Sequence, residues 1–268
     1  MDPMAARSTD RVSGSTDGAS VELSTEVVHE RLRRDILRGV FDPHEPISQV
    51  QLSKRLGVSR TPLREALRML QREGLIYSEP NRRVRVAALT VADLEQLYAA
   101  RVVVDALQAR LAVPRLSGDD VAEMGRRLEA MAELAAQHDL EAWDVHHSAF
   151  HDLLKLGEGD RLFRIARELF DHTERYRRVY LAEPRAWSTA AREHAAIHQA
   201  CLAGDAVAAS RQVARHIGTT ALTIIALSSP EHDPVPVREA LRMITADAPE
   251  PLVTACRRAP SLPGPPTG

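Results

Sequence analysis

Two groups of side chains in this sequence have the types and spacing to do chemistry. The first is histidine. His147 and His151 stand four residues apart, as do His194 and His198, so on a helix each pair shares a face. His216 adds a further imidazole. Imidazoles converging from several helices of a bundle can hold a transition metal with one position left open. The second group is arginine. Arg60, Arg64, Arg68 and Arg72 recur at every fourth residue, a single basic helix face suited to a polyanion. Each pattern also has a plainer explanation. Helical histidines are often satisfied polar residues, and an arginine stripe can be a solvated surface.

The elements that must position the arginines are well marked. Ser48 and Gln51 form an S-x-x-Q capping box ahead of a short helix with Leu52 and Leu56 facing inward. Gly57 sits where that helix must stop in a left-handed residue. Val58 plugs the turn, Ser59 caps the next helix, and Pro62 occupies its first turn, where a missing N–H costs nothing. Leu63, Ala66, Leu67 and Leu70 then repeat at the 3.6-residue period, opposite the arginines. Helix, glycine turn and helix with a basic outer face is the helix-turn-helix plan. After Gly74, Leu75–Ser78 and Val84–Ala87 read as two strands joined at Pro80-Asn81, a wing tipped by Arg82, Arg83 and Arg85. A capped turn before the stripe and an arginine-tipped hairpin after it favour a DNA surface.

The histidines belong to a second block, Thr90 to about Leu227, which holds 8 of the 11 in the chain. It contains no convincing strand. Breaks at Pro114–Gly118, Gly157–Gly159, Glu183-Pro184 and Gly204-Asp205 predict helices at 91–113, 119–137, 139–156, 160–181, 187–203 and 205–227. Thr90, Ser117 and Ser188 or Trp187 stand at plausible starts. Short breaks between long amphipathic helices imply an antiparallel bundle. The expected fold class is therefore mostly α: an N-terminal winged helix-turn-helix (24–89) and an all-helical bundle (90–228). They are flanked by a disordered arm (1–23) and a Pro-rich, mostly disordered tail (229–268), in which 237–246 could form one short helix.

Composition agrees with this division. At 268 residues the chain fits two domains, and with 44% hydrophobic but only 4% aromatic residues the cores must be aliphatic. The net charge of −2 hides an asymmetry: Ser24–Thr90 carries 13 Lys+Arg against 8 Asp+Glu, Val91 onward 20 against 25. A basic head on an acidic body suits phosphate binding joined to sensing or dimerisation. Cys201 and Cys256 show neither disulfide-framework nor zinc spacing. No apolar stretch approaches the roughly 18 residues of a membrane span, so a cytoplasmic protein with no membrane partner is expected.

Leu32-Arg-Arg-Asp-Ile-Leu-Arg-Gly39, then Leu56-Gly-Val-Ser-Arg-Thr-Pro-Leu-Arg-Glu-Ala-Leu67 and Glu73-Gly-Leu75, closely resemble the GntR family of bacterial regulators. The second block resembles the FCD ligand-binding domain of the FadR-type subgroup. The matching residues are Phe150-His151-x-Leu153-Leu154, Glu193-His194-x-x-Ile197, Ala200-x-x-Ala203-Gly-Asp205-Ala206 and Arg215-His216-Ile217. Together the resemblances span about residues 24–227. They imply that Arg60 and Arg64 contact bases or phosphates, that Thr61 contacts a phosphate and that the wing enters the minor groove. With the local pattern, the expected DNA-binding set is Ser59, Arg60, Thr61, Arg64, Arg68, Asn81, Arg82 and Arg83. Two positions depart from the family: Val50 stands where arginine is common, and Arg83 where the wing often has glycine.

In the FCD pattern a carboxylate and three histidines hold a divalent metal. His151, His194 and His216 match the imidazoles, but His147 stands in the carboxylate's place, with Asp144 nearly one turn earlier. Either His147, His151, His194 and His216 form a four-nitrogen site favouring zinc or nickel, or the site is degenerate and takes ligand directly. Arg101, on the helix that would line the pocket, suits a carboxylate effector through bidentate hydrogen bonds. The alternative is an i, i+4 surface pair with Asp105. Arg175, Tyr176 and Arg178 are weaker candidates.

The resulting expectation is a ligand-responsive DNA-binding regulator, a repressor by analogy. It would bind an operator duplex as a homodimer and sense a small organic acid, with no enzymatic activity. A metal-dependent hydrolase or lyase is the main alternative, and it lacks H-E-x-x-H, a nucleophile elbow and a general base paired to a ligand. An architectural DNA binder without a ligand would need no inward histidines.

Overall fold

The computed structural model describes residues 23–41, 46–78, 84–157 and 159–246. The N-terminal arm before residue 23, the wing tip with Asn81, Arg82 and Arg83, and the end of the tail with Cys256 lie outside the described residues. The chain divides into two compact units, Met1–Arg34 with His44–Ala87 and Asp35–Pro43 with Ala88–Gly268.

In the first unit the order is α1 (Thr25–Leu37), β1 (Pro46–Ile47), α2 (Gln49–Leu56), α3 (Arg60–Arg72), β2 (Ile76–Ser78) and β3 (Val84–Val86). Val28, Leu32, Leu52, Leu56, Leu63, Ala66 and Leu70 form its buried centre. Glu73 closes the C-terminus of α3 and takes both His29 and Arg33 from α1, tying the first helix to the third. The sheet has three strands in the order β1–β3–β2, both pairs antiparallel. Sequence periodicity predicts two. The third, Pro46–Ile47, is too short and too proline-bound to show a period.

In the second unit the order is α4 (Val91–Ala112), α5 (Gly118–Gln137), α6 (Leu140–Asp152), α7 (Arg161–His172), α8 (Glu174–Leu181), α9 (Pro184–Leu202), α10 (Ala206–Ser228) and α11 (Val235–Thr245). Thr90 and Asp205 cap α4 and α10 through side-chain oxygens, and Ser117 forms a reciprocal capping box with Asp120 at α5. Helices α4 and α10 form the centre, packed through small residues such as Ala106, Ala109, Val213 and Ala214.

Three expectations for this unit are corrected. The helix expected at 160–181 is two helices, because the Thr173 hydroxyl bonds back to the Phe170 carbonyl and the chain turns there. Helix α9 begins at Pro184 behind Glu183, not at Ser188 or Trp187, since proline is favourable at a first helical turn. The bundle also does not end at 228. Helix α11 buries Val237, Ala240 and Leu241 and packs on α4 and α10, so the tail's short helix is part of the core.

Candidate functional site

The basic face is built by the turn between α2 and α3. Ser48 Oγ accepts from the Gln51 amide at 3.4 Å. Gly57 takes φ 67° and ψ 30°, the left-handed conformation that lets the chain leave α2 at once. Ser53 Oγ donates to the Val58 carbonyl at 2.6 Å, a brace across the turn that spacing alone did not suggest. Leu63, Ala66, Leu67 and Leu70 are buried while Arg60, Thr61, Arg64, Arg68 and Arg72 are exposed. Ser59 holds the N-cap position of α3 in extended conformation, but its side chain makes no capping hydrogen bond, which corrects the expected cap. Glu65 lies within the stripe and bonds Arg68 at 2.8 Å. Arg85 is not at the wing tip: it lies within β3 opposite Tyr77 and Pro46.

In the second unit the structure brings together His147 and His151 of α6, His194 of α9 and His216 of α10. One nitrogen of each lies within 4.8 Å of the others, and all four residues are buried. His151 Nε2 and His194 Nε2 are 3.2 Å apart. His216 Nδ1 meets Glu193 Oε2 at 2.9 Å, an arrangement that fixes the ring and leaves its other nitrogen to the cluster. Trp143 stacks on His147 at 4.4 Å between centroids. His198, the partner expected for His194 on the same face, is elsewhere: its Nε2 meets the Val121 carbonyl at 3.0 Å. Burial, and then the charge each would impose on the others, hold His147, His151 and His194 well below the ordinary imidazole range. They are therefore neutral, the protonation state a metal requires.

These residues fit a divalent ion. Tetrahedral nitrogen ligands at about 2.0–2.1 Å from zinc lie about 3.4 Å from one another. The His151–His194 separation meets that spacing, and the widest pair must close by about 1.4 Å. His147 Nδ1 is buried with no hydrogen-bond partner. Asp144 does not substitute for it, because both Nε and Nη2 of Arg177 take Asp144 Oδ1, at 3.1 and 2.6 Å.

Arg101 is a buried residue, which removes the surface-pair reading. Its Nε and Nη2 reach Asp105 Oδ2 at 3.0 and 2.8 Å, and its Nη1 reaches Thr173 Oγ1 at 2.8 Å. Beside it Phe170 receives Arg101, Arg177 and Lys155 over its ring at 5.0, 4.7 and 4.6 Å. A small pocket lies here, lined by Tyr98, Arg101, His147, Arg177, Tyr180 and His216 among others. The sequence reading names Arg175, Tyr176 and Arg178 but misses Arg177. The signal was present: Phe170, Thr173, Arg177 and Leu181 share one face at helical spacing, and all are buried.

A helix-turn-helix with an exposed basic face, carried on the same chain as a helical unit with a buried polar pocket, defines a DNA-binding regulator. The family comparisons agree. Residues 24–86 match the model of bacterial regulatory proteins of the gntR family, and residues 96–219 match the FCD domain. The chain belongs to the GntR family and carries an FCD domain. It is 29% identical over 197 residues to the HTH-type transcriptional repressor GlaR of Escherichia coli, covering 70% of this chain and 90% of that one. An uncharacterised HTH-type regulator of Agrobacterium vitis is 30% identical over 141 residues, 52% of this chain and 82% of its own. A solved GntR structure from Rhodococcus sp. RHA1 superposes with TM-score 0.64 at 24% identity, covering 75% of this chain and 97% of that one. The protein is a transcriptional regulator of this family and not an enzyme. Among the described residues no helix is long and apolar enough to cross a membrane.

Proposed function

We propose that this regulator is a repressor that releases its operator when a small carboxylate enters the metal-bearing pocket of its FCD domain. The observation that carries the reading is the buried and mutually close set His147, His151, His194 and His216, beside the guanidinium groups of the same pocket. Four imidazoles favour zinc or nickel over harder ions. An ion held by these imidazoles would supply Lewis acidity toward an oxygen ligand. The protein's own part is to orient the imidazoles, exclude water and surround the acid with hydrogen-bond donors, Arg101 among the groups that line its place.

Two copies of the chain present two heads to a near-palindromic duplex. Ser59, Arg60, Thr61, Arg64 and Arg68 meet DNA in the major groove, and Asn81, Arg82 and Arg83 extend the contact from the wing. The charge asymmetry between head and body supports this polarity. An effector that favours one arrangement of heads by about 1–3 kcal/mol changes operator affinity roughly 5- to 150-fold. The test is elemental analysis of the purified full chain together with gel-shift titration of wild type and Arg64→Ala. Near-stoichiometric zinc or nickel in both, with operator binding lost only in the variant, is the expected result. Unchanged affinity in Arg64→Ala removes the head assignment, and a chain that takes up no divalent ion on reconstitution removes the metal assignment.

A further inference from the structure

The pocket beside the imidazoles is lined by three buried donors with no hydrogen-bond partner, the Tyr98 hydroxyl, Arg177 Nη1 and the Tyr180 hydroxyl, and the last two lie together on α8. Arg177 is 6% exposed and Tyr180 3%. Arg177 commits Nε and Nη2 to Asp144, while its Nη1 has no partner; the Tyr180 hydroxyl likewise has none. Both side chains line the same pocket as His147 and His216. Leaving such groups unsatisfied inside a protein is costly, so buried orphans of one kind in one cavity point to a missing complement. Burial pushes the Tyr180 phenol well above its ordinary range, so it stays protonated and available to donate. Arg101 differs. Each of its three nitrogens already has a partner in Asp105 or Thr173, and the latter contact anchors it to the break between α7 and α8.

We infer that Arg177 and Tyr180 form the oxyanion seat of the effector pocket, gripping one carboxylate of a short organic acid, while Arg101 positions the pocket wall. This rests on the functional reading above and deepens it by moving the anchor from Arg101 to residues on α8. Two unpartnered donors on one helix, in a pocket that His147 and His216 also line, suit an acceptor-only group. The enclosed room is about that of one or two waters, so a short acid enters only where the pocket wall yields, and the choice between carboxylate and phosphate is left to the titration. The break at Thr173 that divides α7 from α8 precedes both donors, so both belong to α8.

The experiment uses the full chain reconstituted with zinc. Thermal-shift and calorimetric titrations with acetate, lactate, malate and succinate, and with acetamide and inorganic phosphate as controls, are run on wild type, Tyr180→Phe, Arg177→Lys and Arg101→Lys. At least one acid should bind wild type, and acetamide and phosphate should not. Tyr180→Phe and Arg177→Lys should weaken that acid roughly tenfold to a hundredfold, with zinc content and acid-free operator affinity unchanged. Tyr180→Phe removes one oxygen and keeps the packing, so it decides the matter even where the Arg177 variant folds poorly. Wild-type acid affinity in Tyr180→Phe overturns the seat and leaves the acid-sensing reading standing, with water satisfying the two donors. Loss of acid binding only in Arg101→Lys returns the anchor to Arg101. Tighter binding of phosphate than of any acid overturns the carboxylate assignment. No acid binding by zinc-loaded wild type overturns both the seat and the acid-sensing reading.

Discussion

The basic face of α3 comes from one short stretch of chain, and all of it is exposed. The imidazole pocket draws on α4, α6, α8, α9 and α10, and nearly all of it is buried. In the head the chemistry costs little to build. Arginines project from a helix that folds for other reasons, and Gly57 only has to turn the chain between two capped helices. In the body each polar group is removed from water and must be answered by another: Arg101 by Asp105, Arg177 by Asp144, His216 by Glu193. Substitutions in the head should therefore change binding and spare stability, whereas substitutions in the body should change both.

The largest effect should fall on the buried side of this contrast. His194→Ala removes a fully buried imidazole from the middle of the cluster and should lower zinc affinity by more than about a hundredfold, given that even supporting groups cost 10- to 100-fold. His198→Ala, four residues on, should leave zinc affinity within about twofold, because that ring meets Val121 and not the cluster. Competition with a chromophoric chelator measures both. Equal losses would mean that the ion sits on the α9 face as a whole and not in the pocket.

Acid should break the body before the head. In the metal-free protein His147, His151 and His194 are neutral because burial depresses their proton affinity, while in the unfolded chain they titrate near about 6.5. The unfolded state thus binds more protons as pH falls through that value. The stability these rings contribute is present above about pH 6.5 and is lost below it, at up to about 1.4 kcal/mol per pH unit for each ring. Urea titrations of the chelated protein at pH 8, 7, 6 and 5, read by fluorescence of Trp143 and Trp187, should show a midpoint that falls only below about 6.5. A midpoint independent of pH down to 5 would mean the imidazoles are solvated.

How much of this was legible in the sequence follows the same contrast. The head could be read almost entirely, because capping, glycine turn and stripe are local signals within Ser48–Gly74. What failed there was fine detail: Ser59 sits at the cap without bonding, and β1 has no period. In the body, His147, His151, His194 and His216 were visible through spacing and resemblance, but their company was not. Arg177 was passed over because its neighbours Arg175 and Arg178 look equivalent in a charged run, although its spacing from Phe170 and Leu181 marks the buried face. Helix α11 was legible only as a possible short helix at 237–246, because Pro230, Pro234 and Pro236 make the segment around it read as tail. Its docking shows only in three dimensions, where Gly218 leaves room for Leu241. A Cβ at 218 would lie 2.7 Å from both Leu241 methyl carbons. Gly218→Ala should accordingly destabilise the body by about 1–3 kcal/mol in urea titration, despite alanine's better helix propensity. A stabilised variant would show that Leu241 swings aside freely and that α11 is loosely held.

The smallest effects separate structure from recognition within the head itself. Ser48 and Ser59 both precede helices, but only Ser48 accepts a backbone amide. Ser48→Ala should cost about 1 kcal/mol of stability, with little change in operator affinity at a temperature where both proteins are folded. Ser59→Ala should leave stability within about 0.5 kcal/mol. If the free hydroxyl meets a phosphate, the same change weakens operator binding uniformly across sequences. Because a hydroxyl releases no counterion, the salt slope should stay as in wild type, whereas Arg64→Ala, if its partner is a phosphate, should flatten that slope by about 0.9. Filter-binding titrations of both variants between low and physiological salt make the distinction. A Ser59→Ala variant that loses stability and keeps its operator would place that hydroxyl in a cap after all, and the recognition surface would then begin at Arg60.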